Sequence, residues 1–256
     1  MFVRSEEAGT MTQWAILSGI EGNLQAYEAV LADIKGQEIP VTAIYILGDI
    51  IGLQGDNEAV VKRIQFPYAD EVKPQVCTGW WEEQCFDLYA FSGVGEAVAL
   101  RERYGTDAIL KLWESVSRET VQWLRSLDFG FHEEDCLLIH GSTVSYDDEL
   151  TPETPAIQIC DRVLRAEAET LFCARSGLTF TYSVERASLD SSTRTLEKTQ
   201  QTSQETLASC RVIGVGNVGQ TPQRATYTLY QPLTKQVTFP TVDYDCSKSV
   251  KKIISS

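Results

Sequence analysis

Histidine is nearly missing from this chain: 256 residues hold two, His132 and His140, which excludes any centre that consumes a cluster of imidazoles. Basic residues are also scarce, 22 Lys and Arg against 36 Asp and Glu, for a formal net charge of −14. That balance opposes phosphate backbones and anionic bilayers, so neither nucleic acid nor a membrane is expected as a partner. No apolar run reaches membrane length and no secretory segment is recognisable. The seven cysteines (77, 85, 136, 160, 173, 210 and 246) contain no CxxC pair. Their odd number and their place in apolar runs predict reduced, buried thiols of a cytoplasmic protein.

What is present is a repeated unit of strand, turn and helix. Trp14 to Leu17 is a short apolar run that ends in Ser18-Gly19-Ile20-Glu21-Gly22-Asn23. From Leu24 the apolar positions Leu24, Tyr27, Leu31 and Ile34 follow helical spacing, with Asn23 placed to cap. Ala43 to Leu47 repeats the strand, Gly48-Asp49-Ile50-Ile51-Gly52 the turn, and Asp56 or Asn57 caps a helix carrying Val60, Val61 and Ile64. Two such units predict an α/β fold with its turns at the carboxyl ends of parallel strands, where such folds place ligands.

These turns resemble those of the calcineurin-like metallophosphoesterases, in the branch whose first motif reads Ser-Asp-X-His-Gly-Asn and whose second reads Leu-Gly-Asp-X-X-Gly. Leu47 to Gly52 matches the second in full; Ser18 to Asn23 keeps the frame of the first but has Gly19 for the ligand Asp and Glu21 for the ligand His. The third motif, Gly-Asn-His-Asp/Glu, falls on Gly79-Trp80-Trp81-Glu82, so two tryptophans replace the ligand Asn and the catalytic His. A strand ending in His-Gly is intact at Leu137 to Gly141, whereas Gly-His-X-His is lost at Cys173-Ala174-Arg175-Ser176. Val215 to Gln220 resembles the family's Pro-Gly-Ser-Val-Gly. The resemblance covers about residues 14 to 245. It implies a sandwich of two mixed β-sheets flanked by helices, and a dinuclear centre of which only Asp49, the bridging position, and His140 survive.

One domain over 14–246 is expected, after a poorly ordered segment 1–13 and before a tail 247–256. Pro74 to Cys77 reads as a third core strand, Glu82 to Ala90 and Glu96 to Arg103 as helices, and Ala108 to Leu127 as one longer helix, the whole block covering the rim of the site. Phe129 to His132 and Cys136 to His140 read as a hairpin that delivers His140 to the centre. Thr151 to Ala168 reads as a helix, and strands follow at 171–173, 178–184, 211–213, 225–230 and 236–239, the alternating 225–230 half-exposed. Between them, thirteen of the twenty-two residues from Ser188 to Ser209 are Ser, Thr or Gln; this stretch is a mobile loop or an added hairpin.

The surviving groups leave several chemistries open. Asp49 and Glu21 facing each other would repel and resist ionisation unless a cation lay within about 4–6 Å. Arg175 is expected to reach one of them and replace the lost metal charge. A single weakly bound divalent cation on Asp49 and Glu21 is the alternative. Cys77, Cys173 and His140 could form a soft zinc site, although small core thiols are the simpler reading. Trp80 and Trp81 either plug the vacated cavity or stack a flat ligand. His140 is a general acid or base, or a hydrogen-bonded strand end; Ser18 and Ser142 lack an orienting group and make poor nucleophiles.

The expected reading is a catalytically silent protein without cofactor or resident metal. It would bind an unidentified protein or small molecule through the former pocket, Gly19, Glu21, Asp49, Gly79, Trp80, Trp81, Glu82, His140, Ala174, Arg175 and Ser176, or through the helical rim. The alternatives are an active phosphoesterase with a reduced metal site on Asp49, Glu21 and His140, and a structural interaction protein.

Overall fold

Strands that are apolar on both faces must be covered on both, and the chain solves this with four layers. The computed structural model describes residues 11–89, 97–184 and 210–245; the expectations for residues 1–10, 188–209 and 247–256 fall outside the described residues. The first sheet has the order β11-β10-β1-β2-β3. Here β1 (Gln13–Leu17), β2 (Val41–Leu47) and β3 (Gln75–Cys77) are parallel, and β10 (Thr228–Gln231) and β11 (Gln236–Thr238) extend them antiparallel. The strand therefore begins at Gln13, inside the stretch expected to be poorly ordered.

The second sheet has the order β4-β5-β6-β8-β7. Its middle strands β5 (Cys136–Ile139), β6 (Thr170–Cys173) and β8 (Cys210–Val215) are parallel, and β4 (Gly130–Glu133) and β7 (Thr179–Val184) are antiparallel edges. Period-two alternation decides which side chains meet between the sheets. Trp14, Ile16, Tyr45 and Leu47 face Leu138, Phe172, Ile213 and Val215 across the sandwich. Their neighbours Ala15, Leu17, Ile44 and Ile46 face the helices on the outside. Beyond the second sheet, α7 (Ala156–Ala166) covers Ile139, Leu171 and Val212 through Ile159 and Val163. The mixed two-sheet sandwich expected from the resemblance is thus present.

The caps read from sequence hold. Asn23 accepts from Ala26 N–H at the start of α1 (Leu24–Lys35), and Asp56 from Ala59 N–H at the start of α2 (Asn57–Gln65). Several boundaries differ. Helix α3 spans Trp80–Leu88, because Glu82 turns back onto the amide of Gly79 and starts the helix two residues early. Next, α4 covers Val98–Tyr104. The single helix expected from Ala108 to Leu127 is two, α5 (Thr106–Ser115) and α6 (Arg118–Leu124). Val116 is extended between them, and the Ser117 hydroxyl caps Thr120 N–H, the competition with helical bonding for which serine is known.

Residues 151–155 close a turn between Thr151 and Thr154 instead of a helical one, and α7 starts only after Pro155. The run 225–230 is not one half-exposed strand. It divides into β9 (Arg224–Thr226), which pairs with β12 (Thr241–Asp243), and β10, and the crossing residue Tyr227 is buried with its hydroxyl donating to Asp33 at 2.6 Å. Ala225 and the residues from Tyr227 to Tyr230 are all buried. No helix among the described residues is long and apolar enough to cross a membrane.

Candidate functional site

The carboxyl ends of β1, β2, β3 and β5 converge, and their turns bring Glu21, Asp49, Glu82 and His140 together. The approach of two turns requires glycine: a Cβ on Gly48 would lie 2.3 Å from the Gly79 backbone, and one on Gly79 would lie 2.2 Å from Asp49 N. This contact lets Glu82, fully buried at the start of α3, reach across to the turn after β2. Its Oε2 accepts from the amides of Gly79 (2.9 Å) and Asp49 (2.8 Å), and its Oε1 from those of Ile50 (2.9 Å) and Ile51 (3.2 Å). A carboxylate has about four lone-pair directions; all of these are spent. Glu82, expected as part of a ligand pocket, is instead the clip that holds the pocket's two walls together.

Asp49 is buried with φ +53°, and its Oδ1 accepts from Trp81 N–H at 2.9 Å. His140 Nδ1 lies 2.8 Å from the carbonyl of Leu47. A carbonyl only accepts, so Nδ1 carries the proton, and burial keeps the ring neutral by lowering its pKa. The remaining nitrogen, Nε2, is therefore a buried lone pair; it makes no hydrogen bond and faces Asp49 Oδ2 at 3.4 Å. Burial pushes the pKa of Asp49 up, and burial together with the Asp49 charge pushes those of Glu82 and Glu21 up, Glu21 to about 7. With every lone pair of Glu82 occupied by an amide, the proton that burial favours sits on Asp49 or Glu21.

Linkage fixes the sign of the consequence. A carboxyl whose pKa is raised in the folded state contributes most below its unfolded value, and that contribution is lost as pH rises through the folded value. His140, shifted the other way, opposes this only as pH falls below its ordinary value near 6.5. Urea unfolding of the wild type at about pH 5 and about pH 8 should therefore show a stability loss on the order of 1–2 kcal/mol, the carboxyl contribution less that of His140; Asp49→Asn should reduce it, leaving the part that burial of Glu21 sets. Equal pH dependence in the two proteins would overturn this assignment.

The replacements in the lost motifs fill space. Trp80 and Trp81 are 2% and 4% exposed and meet edge to face at 4.9 Å, with the Tyr104 ring 5.0 Å from Trp81. Neither indole face is free to stack an incoming ligand. At Gly19 (φ +60°) a Cβ would meet Asn217 and the amide of Gln220 within about 3.2 Å, and Gln220 Nε2 donates to Glu21 Oε1 at 2.8 Å. Gln220 and Tyr104 are thus part of the site although the sequence reading gave them no role. The glycine at position 19 was the available signal for the first; nothing in sequence signalled the second.

Arg175 does not reach Asp49 or Glu21, contrary to expectation. The backbone amides of Ala174 and Arg175 both donate to the His140 carbonyl (2.7 and 2.8 Å), and this turn directs the guanidinium to Asp147 and over Trp80. Ser176 lies in the same turn and accepts from Leu178 N–H. Ser18 and Ser142 donate to Leu47 O and to Asp148, so neither is poised as a nucleophile. Cys77 is packed between the sheets and Cys173 on the far side against α7, so the two do not converge on His140. Beside Glu21, a cleft of ≈ 560 Å³ opens between the starts of α1 and α2, lined by Asn23, Gln54, Asp56 and Gln220.

Among solved structures the chain is similar to a metallophosphoesterase from Sphaerobacter thermophilus, with 21% identity, coverage of 91% of this chain and 90% of that one, and a TM-score of 0.61. The chain has a metallophosphoesterase fold. No family model matches the sequence, and no curated protein matches it.

A metallophosphoesterase fold implies metal, and the donor set tests that implication. Asp49 Oδ2 and His140 Nε2 form two adjacent donors suited to one cation. Glu21 is held by Gln220, Glu82 has no lone pair left, and tryptophan and glycine stand at the other positions. Among the described residues no group of three or more His, Cys, Asp or Glu is arranged to hold a metal ion. These residues do not fit the two-ion centre that the metallophosphoesterase resemblance implies.

Proposed function

We propose that this metallophosphoesterase-fold protein is catalytically silent and acts by binding. Small molecules would enter the cleft beside Glu21, and a protein partner would meet the helical rim of α4 to α6. One observation carries this reading: the volume and hydrogen-bonding capacity that an ion pair and its activated water would need are taken by Trp80, Trp81, Gln220 and the four amides on Glu82. Phosphoester hydrolysis in such a fold depends on paired cations that generate hydroxide and neutralise the phosphoryl oxygens. Without them, Asp49 and His140 form one acid–base pair with no nucleophile between.

The test is hydrolysis of p-nitrophenyl phosphate and of its bis ester with added Mn²⁺, Mg²⁺ or Ni²⁺. Wild type should release nitrophenolate no faster than Asp49→Ala. A second reading, a phosphoesterase with one ion, has the free Nε2 of His140 opposite Asp49 in its favour. Turnover that Asp49→Ala abolishes would establish it and displace the first.

A further inference from the structure

Two guanidinium groups on different elements reach the same exposed carboxylate. Arg175, in the turn after β6, places Nη2 2.9 Å and Nε 3.2 Å from Asp147 Oδ1. Arg103, near the end of α4, places Nη1 3.3 Å from that same oxygen. All three N–H groups therefore converge on a single atom. The Nε–Nη2 edge of arginine is shaped to hold two oxygens in parallel, one for each N–H. Asp147 answers the charge of the two cations without filling the geometry they offer.

Arg175 is the fixed member of this cluster, and Arg103, 44% exposed, joins it from the surface. Arg175 and Arg103 lie over the Trp80 ring, at 4.8 and 5.1 Å from its centroid, and the Arg175 side chain is 11% exposed. Ring contact of this kind orients a guanidinium while leaving its N–H edge available. Asp147 is 49% exposed and lies in the loop between His140 and Leu150. An exposed carboxylate in such a pair contributes little, so exchanging it for a better acceptor costs little.

We propose that Arg103 and Arg175 form a binding site for a tetrahedral oxyanion, a sulfate or a phosphoryl group, which Asp147 occupies as an internal substitute in the free protein. Three oxygens on one face of a tetrahedron serve two guanidinium edges arriving from different directions, which a single carboxylate oxygen does not. When the anion enters, Asp147 swings to solvent still ionised; no proton or bond changes hands. The site adjoins the Glu21–Asp49–His140 cluster through Arg175, whose backbone amide donates to the His140 carbonyl at 2.8 Å, and it uses none of the three carboxyl and imidazole groups of that cluster.

Titration calorimetry with sodium sulfate, inorganic phosphate, phenyl phosphate and acetate, at an ionic strength fixed with sodium chloride, tests this. Sulfate and phosphate should bind saturably and change tryptophan emission, with acetate weaker by about tenfold, the loss of one charge-assisted hydrogen bond. Phenyl phosphate binding tighter than inorganic phosphate identifies a phosphorylated small molecule as the ligand; equal binding identifies the free ion. Asp147→Asn should tighten sulfate by about three- to tenfold by removing the internal competitor. Arg175→Gln should weaken it by about tenfold or more. If Arg175→Gln proves unfolded by circular dichroism, the more exposed Arg103→Gln carries the same prediction. Absence of saturable sulfate binding, or sulfate binding that neither Asp147→Asn nor the arginine variants alter, overturns the proposal.

Discussion

Replacing Glu82 by alanine is expected to destabilise the protein by about 4 kcal/mol or more, because four buried backbone donors lose their acceptor and each costs about 1–3 kcal/mol. A loss of that size consumes much of the margin of a typical domain, about 5–15 kcal/mol. Glutamine is not expected to rescue it. Its single carbonyl serves the two amides on one side, while its NH₂ points donors at the two on the other. Urea unfolding of Glu82→Ala and Glu82→Gln reads the effect, and a Glu82→Gln midpoint equal to wild type would dismiss the clip. The expectation separates structure from chemistry: a group reserved for a ligand can be neutralised cheaply, whereas one that joins two turns cannot.

The second large effect is expected at Trp80. Truncation to alanine removes an indole that is 2% exposed and touches Trp81, Tyr104 and both arginines of the anion cluster. Large-to-small changes at such sites cost about 3–5 kcal/mol, part transfer and part cavity. Trp80→Phe should cost well under half of that, since it keeps the ring over which the guanidiniums lie. Thermal unfolding of the two variants checks this; a Trp80→Ala protein as stable as wild type would mean that the indole fills no needed space.

The sequence made the scaffold legible because the scaffold repeats one local rule. An apolar run, a glycine turn and a capped helix can be read at Trp14–Leu31 and again at Ala43–Ile64, and the strand ends so defined bring Glu21 and Asp49 to the place where Glu82 and His140 join them from the ends of β3 and β5. The path of chain outside those units was not legible. One serine hydroxyl divides α5 from α6, and one buried tyrosine moves the chain from β9 to β10. The direction of Arg175 follows from two amide bonds to the His140 carbonyl, which no spacing announces. Tyr104 joins the site from twenty-three residues beyond Trp81, by its ring contacts with Trp80 and Trp81, and Gln220 from 199 residues beyond Glu21.

The pairing of β1 with β10, Trp14 opposite Tyr230, also governs how the molecule comes into being. β1 is made about two hundred residues ahead of the strand it pairs with, and contacts of that separation are slow to form. Until then one edge of β1 lacks its partner, and unpaired strand edges of this kind make partly folded chains prone to aggregate. A circular permutation that joins β10 closely ahead of β1 would shorten that wait.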